Sequence, residues 1–232
     1  MNDLTWLAVL AVLFVVQHLG VTSTGLRDRL VGAMGEKAYV AIYAIVSIVL
    51  IVLLIRAYNA TVPAMLLWPT GDLLRLVPLV LMPLALLLVI GGVMTKNPTT
   101  VGVVLDSGSE VPVDGVLKIT RHPVQCGILV WSVSHLLANG DLPSLIFFGA
   151  FGLISGFGMV LIDRRKQQVF GEGWTAFRDA TSLLPFAAVA SGRQSLGLAD
   201  IGWVAPLLAA IVFVALWWGH VWVSGVPVGL GW

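Results

Sequence analysis

The chain has 232 residues, is 58% hydrophobic and 11% charged, and has a mean hydropathy of +0.97; soluble domains carry about 25% charged residues, so this composition excludes an ordinary water-soluble domain and places the chain in a bilayer. A formal net charge of +1 gives no global field suited to nucleic acid. The single cysteine, Cys126, excludes an internal disulfide and a cysteine-based zinc or iron–sulfur site.

The first predicted span covers residues 4–21. The start, MNDLTWLAVL, lacks a basic n-region and a small-residue cleavage site, so it reads as a retained span and not a removable leader. Gln17 and His18 lie toward its C-terminal end. A loop with Arg27, Arg29 and Lys37 follows, then a second span over 38–57 whose one charge, Arg56, can snorkel to the surface. The linker NATVPAMLLWPTGD is turn-rich, and its Trp68 suits a membrane interface. The third span, 73–94, contains Pro78 and Pro83 and is expected to kink.

A polar excursion over 95–121 contains KNPTT and DSGSE, then VDGVLKIT, which is expected to lie on the membrane surface as a short amphipathic segment. The fourth span, 123–138, reaches only ~24 Å at ~1.5 Å per residue, short for a ~30 Å hydrocarbon core. The fifth, 144–162, carries Gly149, Gly152, Gly156 and Gly158, and its GxxxG at 152–156 suits a packing face or a dimer contact. An aqueous segment of amphipathic helical character, DRRKQQVFGEGWTAFRDATSLLPFAAVASGRQS, precedes a sixth span over 201–223 carrying His220. The reading is one all-α integral membrane domain over 1–232, a bundle of about six transmembrane helices with cytoplasmic amphipathic segments.

Eleven of the 13 lysines and arginines fall in the loops after spans one, three and five, leaving Arg56 and Arg75 on the other side. The positive-inside rule puts those three loops in the cytoplasm and both termini outside.

Chemistry concentrates in RHPVQCGILVWSVSHLLANGD, residues 121–141, which hold Cys126 and two of the four histidines. An ionisable group inside a bilayer is costly and marks a functional candidate. His135, inside the apolar helix, is either a hydrogen-bonded core histidine or an axial ligand to haem iron, since neutral imidazole is a usual haem ligand. His18 has the same two readings, with Gln17 and Ser134 as donors near the rings or packing residues. His122 and Arg121, at the helix entrance, suit lipid phosphates or an anionic-group site built on free N–H groups and a guanidinium fork. His220 is an interfacial anchor or an alternative ligand. Cys126 is a packing residue. Asp163, Arg164 and Arg165 form a solvated run or part of a site, and Trp217, Trp218 and Trp222 an outer aromatic belt.

That segment, with HLGVTSTGLRDRLVGAMGEKAYVAIYAIVS upstream and FGEGWTAFRDATSLLPFAA downstream, resembles the NnrU family of integral membrane proteins associated with bacterial denitrification, and their plastid and cyanobacterial relatives, the 15-cis-zeta-carotene isomerases. The resemblance covers nearly the whole chain. It implies the bacterial inner membrane, a hydrophobic polyene or lipid substrate, and haem b held by His18 and His135. The isomerases have a cysteine three residues before the second histidine, proposed as an alternate ligand; Ser132 stands there in this chain and is a further candidate cofactor contact. RHP-x-x-x-G-x-x-x-W followed by an FG segment is also similar to the isoprenylcysteine carboxyl methyltransferase superfamily. That likeness implies S-adenosylmethionine near Arg121, His122, Pro123, Phe170, Gly171, Trp174 and Phe177, although Asp163-Arg164 stands where those enzymes have paired glutamates.

Three functions follow. The first is a haem b membrane protein, isomerase-like or a redox or nitric-oxide-linked factor. The others are an S-adenosylmethionine-dependent membrane methyltransferase, and a non-catalytic accessory protein for nitric oxide reductase. Depth bears on the ligand pair. Counted from the cytoplasmic face at ~1.5 Å per residue, His135 lies ~20 Å up and His18 ~5–10 Å up, whereas depth alone pairs His135 with His220 and His18 with His122.

Overall fold

The structure is a computed structural model and describes residues 3–21, 24–63, 65–99, 112–226 and 228. Helix α1, Asp3–Val15, continues into a π-helical stretch, Val16–Gly20. It is followed by α2, Leu26–Met34, and α3, Glu36–Ala60. Helix α4, Asp72–Met94, contains Pro78 and Pro83. A 3-10 turn, Gly115–Lys118, leads to α5, Pro123–Asn139. Then come α6, Leu142–Phe170, α7, Glu172–Ala180, α8, Ala187–Ala190, α9, Leu198–Ile201, and α10, Val204–Ser224.

The fold is all-helical among the described residues, with one isolated antiparallel bridge between Leu66 and Asp141. Hydrocarbon offers no partners to backbone N–H and C=O groups, and a helix satisfies them within itself. Five helices are long and apolar enough to cross a membrane: Asp3–Gly20, Glu36–Ala60, Asp72–Met94, Leu142–Phe170 and Val204–Ser224. This is a multi-pass membrane protein. Helix α5, at 17 residues, is the short element its sequence indicated. Its ends are sharply cut. Pro123 occupies the first turn, where its missing N–H costs nothing, and Gly140 closes the helix at φ 70°. Asp141 then caps α6, accepting from the Ser144 N–H at 2.8 Å.

Two segments depart from the sequence reading. Helix α6 runs on unbroken to Phe170, well past residue 162, so the helical character expected after the fifth span belongs to that span's own helix. The VDGVLKIT stretch does not lie on the surface: Val116, Leu117 and Ile119 are fully buried, and Leu117 packs with Trp174 and Phe177 of α7. The DSGSE run lies outside the described residues.

Lipid is as apolar as leucine, so close backbone approach holds such helices together more than water exclusion does. Helices α4 and α5 pair most closely. A Cβ on Gly127 would fall 2.6 Å from the Ala85 carbonyl oxygen, and one on Gly92 2.8 Å from Pro123 Cγ. In the expected GxxxG of α6, Gly152 packs on Ser132 Oγ, whereas Gly156 has open space beside it. Helix α1 packs on α3 and α6 through Leu7, Leu10, Phe14, Leu54 and Phe147. Helix α10 leans on α4.

Candidate functional site

Helices α3, α4, α5, α6 and α10 line a partly open cavity of about 440 Å³ toward the end of the bundle where α5 turns into α6. That volume falls within the ~300–1,000 Å³ of small-molecule sites. The wall is aliphatic and aromatic, including Trp131, Phe147, Phe148, Phe151 and Phe213. Polar groups are few: His135, His220, Arg75 and the groups near the helix ends, Tyr58, Asn59, Asn139 and Ser224. Most of the latter serve the frame. Tyr58 Oη pairs with Ser144 Oγ at 2.8 Å, Asn59 donates to the Val223 carbonyl at 3.0 Å, and Asn139 donates to the His135 carbonyl at 2.7 Å.

His135 is rigidly oriented. Its Nδ1 lies 2.8 Å from the Trp131 carbonyl one turn back, and its ring stacks on Phe148 at 5.1 Å. A carbonyl only accepts, so Nδ1 carries the proton and Nε2 the lone pair. A backbone carbonyl holding the other ring N–H is the usual arrangement of a metal-ligating histidine. His220 repeats it: its Nδ1 donates to the Val226 carbonyl at 2.7 Å, with Ser224 Oγ at 2.9 Å. Trp217, expected only in an interfacial belt, also lines this cavity.

His18 lies elsewhere. It sits in the π-helical stretch, a rare geometry frequent at functional sites, with Nδ1 donating to the Phe14 carbonyl at 3.0 Å. Its ring meets Phe14 at 4.4 Å and Tyr43 at 5.5 Å, edge-on to both. Gln17 beside it donates to the Tyr43 carbonyl and Ser47 Oγ. Helix α1 contributes no residue to the cavity wall. Between the two histidines run Phe14, Phe151 and Trp131, each ring 5.0–5.2 Å from the next. His135 is level with Phe148, and His18 lies a turn beyond the level of Phe151; at ~1.5 Å per residue the two imidazoles are ~10 Å apart in depth. Ser132 is buried away from the cavity and donates to the Phe148 carbonyl, joining α5 to α6.

A second polar centre lies at the other end of α5. Arg121 grips Asp163 of α6 with Nε at 2.9 Å and with Nη2, and His122 Nε2 sits 2.7 Å from the other carboxylate oxygen. The Arg121 N–H donates to the Ser182 carbonyl and Thr120 Oγ1 to the Leu183 carbonyl, fastening the post-helical segment to the same point. His122 is fully buried. Burial holds its imidazole below the ordinary 6.5, against the opposing pull of Asp163. The guanidinium fork expected to receive an external anion is filled by a carboxylate of the chain itself. Trp174 and Phe177 of the FG segment are buried against Leu117. Cys126 packs 3.5 Å from Met159 Sδ.

Of the two sequence readings of Asp163, a solvated run or part of a site, the structure favours the second, as the acceptor shared by Arg121 and His122. The available signal was a lone carboxylate at the end of an apolar span, with an Arg-His pair on the same face of the membrane. Among the described residues no group of three or more His, Cys, Asp or Glu is placed to hold a metal ion.

The model of the NnrU protein family matches residues 6–228. Among curated proteins, the chain is similar to the chloroplastic 15-cis-zeta-carotene isomerase of Zea mays, 30% identical over 191 residues, 81% of this chain and 51% of the relative. The Arabidopsis thaliana isomerase is 38% identical over 84 residues, 35% of this chain and 22% of the relative. The chain thus spans about half the length of the maize relative. No solved structure matches significantly. The same RHP and W-x-x-x-H elements that bound the two polar centres lie within the matched span, and the chain belongs to the NnrU family.

Proposed function

We propose that this protein is a membrane-embedded, isomerase-like enzyme acting on an extended apolar polyene, with haem b held at His135 in the cavity. The observation that carries the reading is the His135 imidazole: its Nδ1 proton is fixed on the Trp131 carbonyl, and the residue lines an aromatic-walled cavity. The residues fit the group, because a neutral imidazole is a usual haem ligand and apolar walls suit both a macrocycle and a polyene. The name of the relatives, 15-cis-zeta-carotene isomerase, supplies the substrate class.

When bound, haem iron supplies a redox-switchable centre able to engage a double bond and lower its barrier to rotation. The chain's own residues do the rest. Trp131 and Phe148 fix the plane of the His135 ring, and the aliphatic wall excludes water and orients an apolar chain by shape. Helix α5 completes six spans in this reading, with the basic loops in the cytoplasm of a bacterial inner membrane and the cavity toward the opposite face. The segment around Arg121 and Trp174 is the less favoured site for S-adenosylmethionine, since the Arg121 guanidinium is engaged by Asp163 and Trp174 packs its ring on Leu117 and Phe177.

The test is an absorption spectrum of full-length protein purified after haem-supplemented expression, followed by incubation with a cis-polyene. A Soret band lost in His135→Ala, together with haem-dependent isomerisation, is the expected outcome. A colourless wild-type preparation refutes the haem reading and returns the non-catalytic accessory role.

A further inference from the structure

Between α7 and the last spanning helix runs a stretch, Leu183 to Trp203, that the cavity does not use and that the sequence reading places largely in water. We propose that this stretch is an in-plane membrane anchor. Its inner residues pack at the depth of the spanning helices, and its outer face, formed by Leu184, Phe186, Leu198 and Trp203, rests among the phospholipid acyl chains of the leaflet in which α5 begins. The inference needs only the membrane setting and stands apart from any cofactor.

Three observations carry it. The first is depth. The Leu183 carbonyl lies 3.5 Å from Cys126 Sγ and accepts from Thr120 Oγ1 at 2.9 Å. Cys126 is three residues beyond Pro123, ~4.5 Å inside the mouth of α5. Leu183, Leu196 and Ile201 pack against a buried cluster that includes Leu88, Cys126 and Met159, and Leu88 stands six residues, ~9 Å, inside the end of α4. A segment packed there is level with the helix ends and not beyond them. Helix α5 reaches only ~26 Å of a ~30 Å hydrocarbon core, and this stretch fills the depth left at its mouth.

The second is the backbone. Irregular chain is tolerated at membrane depth only where protein satisfies its polar groups. The Phe186 N–H donates to the Ile119 carbonyl at 2.8 Å. Ser182 Oγ donates to the Leu184 carbonyl at 2.9 Å and accepts from the Ala188 N–H at 3.0 Å. Arg193 covers the Asp179 and Thr181 carbonyls. A loop in open water has no need of these bonds, since solvent supplies them.

The third is the outer face. Leu184, Leu198 and Trp203 are 67%, 93% and 73% exposed, while Leu183, Leu196 and Ile201 beside them turn inward. Phe186 adopts φ 64°, a left-handed conformation costly for a bulky side chain, and its ring stays exposed. The acidic group of the stretch, Asp200, is paired with Lys118 at 2.8 Å. The face continues directly into Val204 and the exposed apolar surface of α10, a helix long and apolar enough to span. Hydrocarbon around α10 therefore extends over it, with Trp203 at the level aromatic residues favour.

The experiment uses the full chain in a Cys126→Ala background, reconstituted into vesicles of equal parts phosphatidylcholine and phosphatidylglycerol. Leu184→Cys, Phe186→Cys and Leu198→Cys are each labelled with a nitroxide, and collisions with oxygen are compared with those of a water-soluble nickel chelate by electron paramagnetic resonance. Leu207→Cys on α10 serves as the lipid reference and Glu172→Cys at the start of α7 as the aqueous one. Oxygen-to-nickel ratios close to the Leu207 reference are expected at all three positions. A ratio at Leu184 or Leu198 matching the Glu172 reference overturns the proposal and leaves a water-facing apolar patch open to a protein partner. If the substituted chains do not fold, wild-type protein is irradiated in the same vesicles doped with a phospholipid carrying a photoactivatable diazirine near the head of its acyl chain. Labelled peptides within 183–203 are expected by mass spectrometry, and label confined to the spanning helices overturns the anchor.

Discussion

Removing the Asp163 carboxylate tests the claim that the mouth of α5 is an internal clamp and not a ligand site. Asp163 is the shared acceptor for Arg121 and His122, and the side chains of Arg121 and Asp163 are only 10% and 15% exposed. Asp163→Ala strands a guanidinium with little water to replace its partner. Breaking a buried pair in this way costs about 3–5 kcal/mol, far more than the ~0–1 kcal/mol of a surface ion pair. For a chain of this size about 1 kcal/mol moves the melting temperature by ~2–4 °C, so a drop of roughly 10 °C is expected. The assay is thermal unfolding of detergent-solubilised protein, with Arg121→Met, Asp163→Met and the double variant completing a cycle. The double variant is expected to recover most of the loss, because removing both charges leaves neither stranded. A melting temperature for Asp163→Ala within about 1 °C of wild type would refute the clamp, for it would mean that Arg121 finds an equal partner elsewhere.

Three further outcomes follow from the same coordinates. Burial lowers the folded-state pKa of His122 below its ordinary 6.5. The unfolded chain then binds the proton more readily, so the contribution of neutral His122 is complete above about pH 6.5 and is lost as pH falls below it; the melting temperature should drop between pH 7.5 and 5.5, and the drop should shrink in His122→Asn. Gly127→Leu drives a side chain into the Ala85 carbonyl, 2.6 Å from where its Cβ must stand. Overpacking costs about 1–3 kcal/mol, read as a lower melting temperature and separation of α4 from α5 by crosslinking; unchanged values would mean the pair is looser than described. Phe148→Ala removes the stacking face of His135 and part of the cavity wall, a change worth about 3–5 kcal/mol in a well-packed core, read as a lower melting temperature; under the proposed haem reading it should also broaden or shift the Soret band, and an unchanged melting temperature and spectrum would show that Phe148 does not hold the ring.

How much of this was legible beforehand depends on which physical signal each residue carries. Hydropathy is a sum over about 20 residues, so the long spans were readable from composition, and Pro123 and Gly140 marked the ends of α5 through backbone chemistry alone. The buried 3-10 turn at Gly115–Lys118 was not readable, because a short segment with alternating polarity suits a membrane surface as well as a groove; what decides is the space beside Trp174 and Phe177 that Leu117 fills, which exists only once distant segments meet. The same reason hid Asp163. A carboxylate before two arginines looks solvated in one dimension, and only the folding of α6 alongside α5 brings it to His122 and Arg121. Histidines divide along this line. Sequence marks each of them as costly in a bilayer, but costs do not say who faces whom. Depth is countable from the helix ends: the counting that sets His135 level with His220 uses only chain direction and ~1.5 Å per residue. Family likeness pairs His135 with His18 by position in the sequence. The cavity wall follows the depth count: the helices that line the space around His135 include α10 and omit α1, so position in the sequence and depth in the bundle give His135 different neighbours.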